Sequence, residues 1–224
     1  MTWEHLAFLH WRVPRATITP YLPDGLKLDT FKGSAWIGIV PFLMSNVRAR
    51  GLSGIPTTSE FLELNLRTYV TRDGKPGVWF FSLDAASWLC VRAARIGFQL
   101  PYFDADMDAS FRDDVAYRSR RTHRDAPPAR FRVRYRPAGP VFQSSSGSLE
   151  HWLTERYCLY SADRCGRVYR GEIHHRPWPL QACEATVEEN TMGTLIGHEF
   201  DRPPESVLYA RTLQVPAWPI RRIF

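Results

Sequence analysis

The chain predicts an α+β fold dominated by antiparallel strands. Three observations point there: many short segments rich in β-branched and aromatic residues, few stretches with a helical period, and no regular alternation of helix with strand such as a parallel α/β sheet needs. At 224 residues, with 44% hydrophobic and 13% aromatic side chains, one domain over residues 1–224 with its own core is expected.

Strands are expected at Ala35–Met44, Phe61–Thr71 and Val78–Leu83, each dense in aromatic and branched residues. Asp73-Gly74 marks a turn between the last two, and Lys75-Pro76-Gly77 makes the connection read as longer than a minimal hairpin. Asp84 is placed to cap a helix over Ala85–Ile96, with Gly97 as its C-terminal stop and Leu89, Ala93 and Ile96 as its apolar stripe. Further strands are expected at Val115–Arg121, Arg130–Arg136, Arg156–Ser161, Arg167–His174, Gln181–Glu189 and Val207–Val215. Ser148 caps a second helix over Leu149–Arg156, and a helical turn fits between Pro14 and Tyr21. Arg48–Ser59 and Pro137–Ser148, rich in Gly, Pro and Ser, read as loops within the one domain.

Composition excludes several classes. No apolar run is long enough to span a bilayer, and the start Met-Thr-Trp-Glu-His lacks the features of a signal peptide. Cys90, Cys158, Cys165 and Cys183 form no C-x-x-C, so reduced, mostly buried thiols in a cytoplasmic protein are expected. A net charge of +6 invites a nucleic-acid partner, yet no nucleic-acid motif accompanies it and none is expected. Arg130, Arg132, Arg134 and Arg136 alternate with Phe131, Val133 and Tyr135, which puts four guanidiniums on one face of a strand. A solvated outer face is the simpler reading, and an anion-facing surface the functional one. His174 and His175 are adjacent, so in a strand they point to opposite faces and would not share one ion; no metal and no cofactor is expected. Hydrolase, NTPase and metalloprotease signatures are absent.

The strand Phe61–Val70 carries the strongest chemical signal. Glu63, Asn65, Arg67 and Tyr69 share one face, and Leu62, Leu64, Leu66 and Val70 the other. In an ordinary sheet the polar face meets water. In a barrel with a lined interior it turns inward, where a carboxylate and a guanidinium hold each other charged. Arg92 and Arg95 lie one turn apart on the first helix, and Tyr117, Ser119 and Arg121 repeat the lined-face pattern.

AWIGIVPFLM, FLELNLRTYV, GVWFFSLDA, the Ala-Ala-Arg to Leu-Pro-Tyr-Phe segment, the Y-x-S-x-R at Tyr117–Arg121, LTERY and HHRPWPL together resemble the YqjF-like bacterial family of unknown function (DUF2071), over nearly the whole chain. The order of elements is more distantly similar to the acetoacetate decarboxylase superfamily. That resemblance implies a cone-like antiparallel β-barrel with a ligand cavity and a few helices packed outside. It puts Glu63 where the decarboxylases carry an active-site glutamate, and Tyr102-Phe103 where they carry Pro-Lys-Lys lysines. The only lysines here are Lys27, Lys32 and Lys75. Decarboxylation of a β-keto acid by that fold needs a lysine amine to form a Schiff base, which a phenol cannot do. Glu4 falls where the family has an arginine. Acetoacetate decarboxylase activity is therefore not expected.

Three readings follow. The first is a binder of a small polar or anionic carboxylate- or carbonyl-containing molecule, with Arg67, Arg95, Ser119, Arg121, Trp79 and Phe81 lining or bracing the cavity beside Glu63 and Tyr102 and with Trp36 shaping it. The second is an isomerase, hydratase or hydrolase with Glu63 as general acid or base and Tyr102 as proton or hydrogen-bond donor. The third is a filled barrel with a structural or interaction role. Oligomeric state is left open, a homo-oligomer among the options.

Overall fold

The computed structural model describes residues 1–47 and 60–224, except for the side chains at 89, 90, 93, 94 and 96. The Arg48–Ser59 loop, the Leu89/Ala93/Ile96 stripe and Cys90 thus lie outside the described residues. In chain order the elements are β1 (Thr2–Val13), α1 (Arg15–Ile18), a 3-10 turn (Thr19–Tyr21), β2 (Lys27–Leu28), β3 (Ala35–Ser45), β4 (Glu60–Arg72) and β5 (Lys75–Ala85). There follow α2 (Trp88–Phe98), β6 (Tyr102–Phe111), β7 (Val115–Arg121), β8 (Arg130–Phe142) and α3 (Leu149–Thr154). The chain ends with β9 (Cys158–Ala162), β10 (Val168–Glu172), β11 (Leu180–Asn190), a second 3-10 turn (Met192–Ile196), β12 (Ser206–Gln214) and β13 (Arg221–Arg222). The fold is mostly sheet with a few short helices.

All of these strands belong to one 13-stranded sheet. Pairings run β5–β6–β7–β8–β11–β12–β1–β3–β4, and β4 pairs in turn with β5. Every pairing is antiparallel except β5–β6 and β5–β9. One face gathers Leu9, Ile37, Leu64, Leu66, Tyr117, Phe131, Val133, Tyr135 and Tyr209 into a single cluster. The other gathers Leu6, Phe8, Val40, Phe42, Leu83, Tyr102, Trp178 and Leu208, covered in part by Val91 of α2.

Local chemistry explains the places where the structure departs from expectation. Asp73 and Gly74 both adopt positive φ (50° and 75°), and Arg72 pairs directly with Lys75, so the β4–β5 hairpin is minimal after all. Pro76 sits inside β5, opposite Thr71. Gly77 is there because β9 crosses so close that an added Cβ would meet the Cys158 sulfur at 2.7 Å and its carbonyl oxygen at 2.9 Å. Asp84 is not a helix cap. It lies within β5, which ends at Ala85, and α2 starts later, at Trp88, with the Val91 N–H donating to the Ser87 carbonyl. Gly97 is not the helix stop either, since α2 runs to Phe98 and Gln99 takes the left-handed conformation at φ 50°. Ser148 does cap α3, its hydroxyl accepting from the His151 N–H. Pro137–Phe142 continues β8 rather than forming a loop, and β6 is a strand that the sequence pattern does not announce.

The arginine strand behaves as alternation demands: Phe131, Val133 and Tyr135 are buried and the four arginines exposed. Across the sheet Arg134 meets Glu188 at 2.8 Å, Arg136 meets Glu184 at 2.7 Å, and Arg130 and Arg132 approach Glu189 at 3.8 and 3.9 Å. On the next strand pair Arg118 and Arg120 face Asp108 and Asp106. The solvated-face reading fits this ladder, whose cations are matched by carboxylates and leave no basic stripe. Of the described cysteines only Cys158 is buried, while Cys183 is half-buried and Cys165 exposed; all three are free thiols.

Candidate functional site

Both faces of β4 are buried, which the strand pattern alone does not decide. Leu64 and Leu66 are 0% exposed on one side; Glu63 at 2%, Asn65 at 5% and Tyr69 at 0% are as deeply buried on the other. The polar face is enclosed because it lies against the second apolar cluster: Glu63 stands opposite Phe42 of β3 and Ala85 of β5, and Asn65 opposite Val40 and Leu83.

Glu63 and Tyr102 touch. Tyr102 begins β6, beside Leu83 in the parallel β5–β6 pairing, and its phenol donates to Glu63 Oε2 at 2.9 Å. No cation pairs with Glu63 among the described residues. Burial raises its carboxyl from 4.5 to about 8; the Tyr102 hydrogen bond pulls the other way and the nearby Asp84 charge pushes further up. The group is a neutral carboxylic acid at pH 7, able to donate a proton as well as accept a hydrogen bond. Tyr117 donates to the Glu63 carbonyl at 2.8 Å from the other side of the sheet and fixes the backbone there.

Arg67 lies farther along the same face. Its guanidinium packs over the rings of Phe8 and Tyr69, and its hydrogen bonds, to the Tyr69 hydroxyl at 3.4 Å and the Leu153 carbonyl at 3.5 Å, are long. Among the described residues no carboxylate lies within ion-pair distance of it, and its Nε is buried without a partner, as is Asn65 Oδ1. His10, buried on β1 beside it, contacts the Tyr69 hydroxyl at 2.6 Å; burial and the Arg67 charge hold its imidazole well below the usual value and so neutral. Gly38 of β3 is what lets these side chains meet, because a Cβ there would stand 3.0 Å from the His10 ring.

The other expected residues are elsewhere. Arg121 and Ser119 face the first cluster rather than the Glu63 side. Arg121 grips Asp84 through two hydrogen bonds, at 3.0 and 2.8 Å, and donates to the Pro127 carbonyl, with the two side chains 1% and 0% exposed. Its donors are therefore committed within the protein, and its role here is a brace. Ser119 Oγ is buried without a partner. Trp36 is buried against Tyr69, Val78 and Leu153. Trp79, Phe81 and Arg95 line an open cleft of about 820 Å3 that includes neither Glu63 nor Tyr102. A second depression of about 560 Å3 lies beside Phe61, Leu62 and Met107. Glu4, at the position expected for an arginine, accepts from the Ser45 hydroxyl.

Sequence reasoning missed three contributors. Asp84 reads locally as a cap, although an acid at a strand end with an arginine in a lined strand is also what a buried pair requires. His10 carries no signal in isolation. His123, which accepts from Arg95 at 2.7 Å, follows β7 in a loop and has no distinguishing pattern. No group of three or more His, Cys, Asp or Glu side chains among the described residues is placed to hold a metal ion. No helix among them is long and apolar enough to cross a membrane.

Comparison with known proteins places this geometry. The chain is 43% identical over 222 residues to the uncharacterized protein YqjF of Bacillus subtilis (strain 168), covering 99% of this chain and 90% of that one. Among solved structures it is similar to the enduracididine biosynthesis enzyme MppR complexed with pyruvate (TM-score 0.69, 11% identity, 99% of this chain and 87% of that one). It is also similar to the acetoacetate decarboxylase of Legionella pneumophila (TM-score 0.62, 8% identity, 100% and 88%). An acetoacetate decarboxylase-like enzyme from Sphingomonas wittichii RW1 gives a TM-score of 0.63 at 12% identity, over 99% and 92%. These likenesses establish an acetoacetate decarboxylase-like fold. The family model for DUF2071, an uncharacterized conserved protein, matches residues 1–214, and the chain belongs to that family.

Proposed function

We propose that the protein binds a small molecule bearing a carboxylate and a carbonyl on the polar face of β4, and that it is not an acetoacetate decarboxylase. The observation that carries this reading is Arg67: a largely enclosed guanidinium with no carboxylate partner among the described residues. A partly buried cation left unpaired carries a desolvation cost, and a ligand carboxylate on its donors reduces that cost. Asn65 offers an unused acceptor on the same face, and the neutral Glu63 acid with the Tyr102 phenol offers hydrogen bonds to a carbonyl oxygen. The return of the strand pairings from β4 to β5 supports a cone-like barrel as the frame for this face. Free thiols at Cys158, Cys165 and Cys183 favour a cytoplasmic location. MppR, which shares the fold, is complexed with pyruvate, so an oxo acid is the first ligand to try.

The absence of lysine at 102 and 103 leaves no amine there for a Schiff base. A second reading, an enzyme moving a proton next to a carbonyl without lysine, is favoured by one observation: a buried acid with its carboxyl at about 8 is tuned for proton transfer near neutral pH. The test is thermal unfolding with pyruvate and longer 2-oxo acids. Binding to the native state raises the melting temperature, and Arg67→Met and Glu63→Gln should each remove the rise. A rise that survives Arg67→Met, or no rise with any oxo acid, overturns the binding reading. Exchange of the substrate's α-proton with solvent, lost in Glu63→Gln and Tyr102→Phe, would establish the enzymatic one.

A further inference from the structure

We propose that the cleft bounded by α2, the β9–β10 turn and the Met192–Ile196 turn is a second binding site, built for an aromatic carboxylate. At about 820 Å3 it has the volume of a small-molecule pocket. One wall is cationic. Arg92 and Arg95 of α2 and Arg164 of the β9–β10 turn line it. Of the two carboxylates nearby, Asp163 is already occupied. Asp163 accepts from Arg167 Nε at 2.6 Å, from the Tyr169 hydroxyl at 3.0 Å and from two backbone N–H groups. Asp104 meets the His123 imidazole at 2.8 Å and Arg92 at 3.9 Å through Oδ2, while its Oδ1 is buried without a partner.

His123 fixes the orientation of the wall. Arg95 Nη1 lies 2.7 Å from its Nε2, and its Nδ1 lies 2.8 Å from Asp104 Oδ2 and 3.2 Å from the Asp104 backbone nitrogen. Arg95 is thereby held in place by an imidazole, with no carboxylate within ion-pair distance of it among the described residues. A second wall is aromatic, with Trp79 and Phe81 on β5 and the Tyr21 ring edge-on to Phe81 at 6.3 Å. A planar ring between those side chains, with its carboxylate on the Arg95 and Arg92 donors, satisfies both walls.

The experiment is calorimetric titration of the full chain with benzoate, cyclohexanecarboxylate, benzyl alcohol and inorganic phosphate. Benzoate should bind, cyclohexanecarboxylate more weakly, and benzyl alcohol and phosphate negligibly. Arg95→Gln should weaken benzoate by about tenfold or more, as expected for a lost charge-assisted hydrogen bond. Glu63→Gln and Arg67→Met should leave benzoate affinity unchanged, which separates this site from the one on β4. Nitrogen NMR of the imidazoles gives a readout in the unaltered protein: benzoate should shift His123 and spare His10. No benzoate binding, equal competition by phosphate, or benzoate affinity lost in Arg67→Met but kept in Arg95→Gln would each overturn the proposal.

Discussion

Replacing Glu63 by glutamine isolates the proton that the buried site holds. A carboxyl whose ordinary value is 4.5 and whose folded value is about 8 keeps its proton in the native state after the unfolded chain has lost it. Between those values the native state binds one proton more, so stability falls as pH rises, by about 1.4 kcal/mol per pH unit. The contribution is complete below 4.5, lost progressively through the window and gone above about 8, a total on the order of 5 kcal/mol. The glutamine variant has no such proton to lose. Urea unfolding of both proteins at several pH values from about 5 to 9 gives the difference directly, since all other titrating groups are shared and cancel. The stability of the native chain relative to Glu63→Gln should decline by several kcal/mol across that range and then level off. Because the Tyr102 hydrogen bond lowers the Glu63 value, Tyr102→Phe should move the levelling to higher pH. Parallel curves for the native chain and Glu63→Gln would mean that Glu63 is ionised and solvated, and the chemistry assigned to the pair would fall with it.

The same geometry fixes three other outcomes. Arg121→Met strands the Asp84 carboxylate, so it should cost about 3–5 kcal/mol in urea unfolding, while Asp84→Leu combined with Arg121→Met recovers most of that; a loss below about 1 kcal/mol in the single variant would contradict a structural pair. Arg67→Met removes an unpaired, partly buried charge, so stability should hold or rise by about 1 kcal/mol, and a fall beyond about 2 kcal/mol would show that Arg67 serves the fold rather than a ligand. Arg134→Ala on the exposed ladder should change stability by less than about 1 kcal/mol, with a weak salt dependence; retention of the native chain on heparin at physiological salt would contradict the charge-matched reading of that face.

The legible parts of the fold are those where local chemistry and burial agree. β7 falls at Val115–Arg121 as expected, and β8 begins where the arginine alternation begins, because each exposed guanidinium there has water on one side and a core residue behind it. β6 is illegible for the converse reason. Tyr102–Phe111 carries Asp104, Asp106 and Asp108, a residue type depleted in strands, and two of these are stabilised by Arg120 and Arg118 on β7, partners that exist only once the strands pair. Asp84 shows the same limit in one residue. An aspartate ahead of a helix is a good cap in any local reading, and only the approach of β7 makes it the counter-ion of Arg121. The Glu63–Tyr102 contact is legible only through family resemblance; nothing in the strand pattern of β4 brings position 102 to it.

That contact also governs the charge of Glu63. An ammonium at position 102 would give Glu63 a counter-charge, and a carboxylate so paired is held below its ordinary value. The phenol is neutral. It donates one hydrogen bond and leaves the desolvation of Glu63 uncompensated, so the carboxyl takes up a proton instead. The pair is thereby a neutral acid and a phenol, with no amine among them for imine chemistry. Arg67, farther along the same face, has no carboxylate within ion-pair distance among the described residues, and its Nε is buried without a partner.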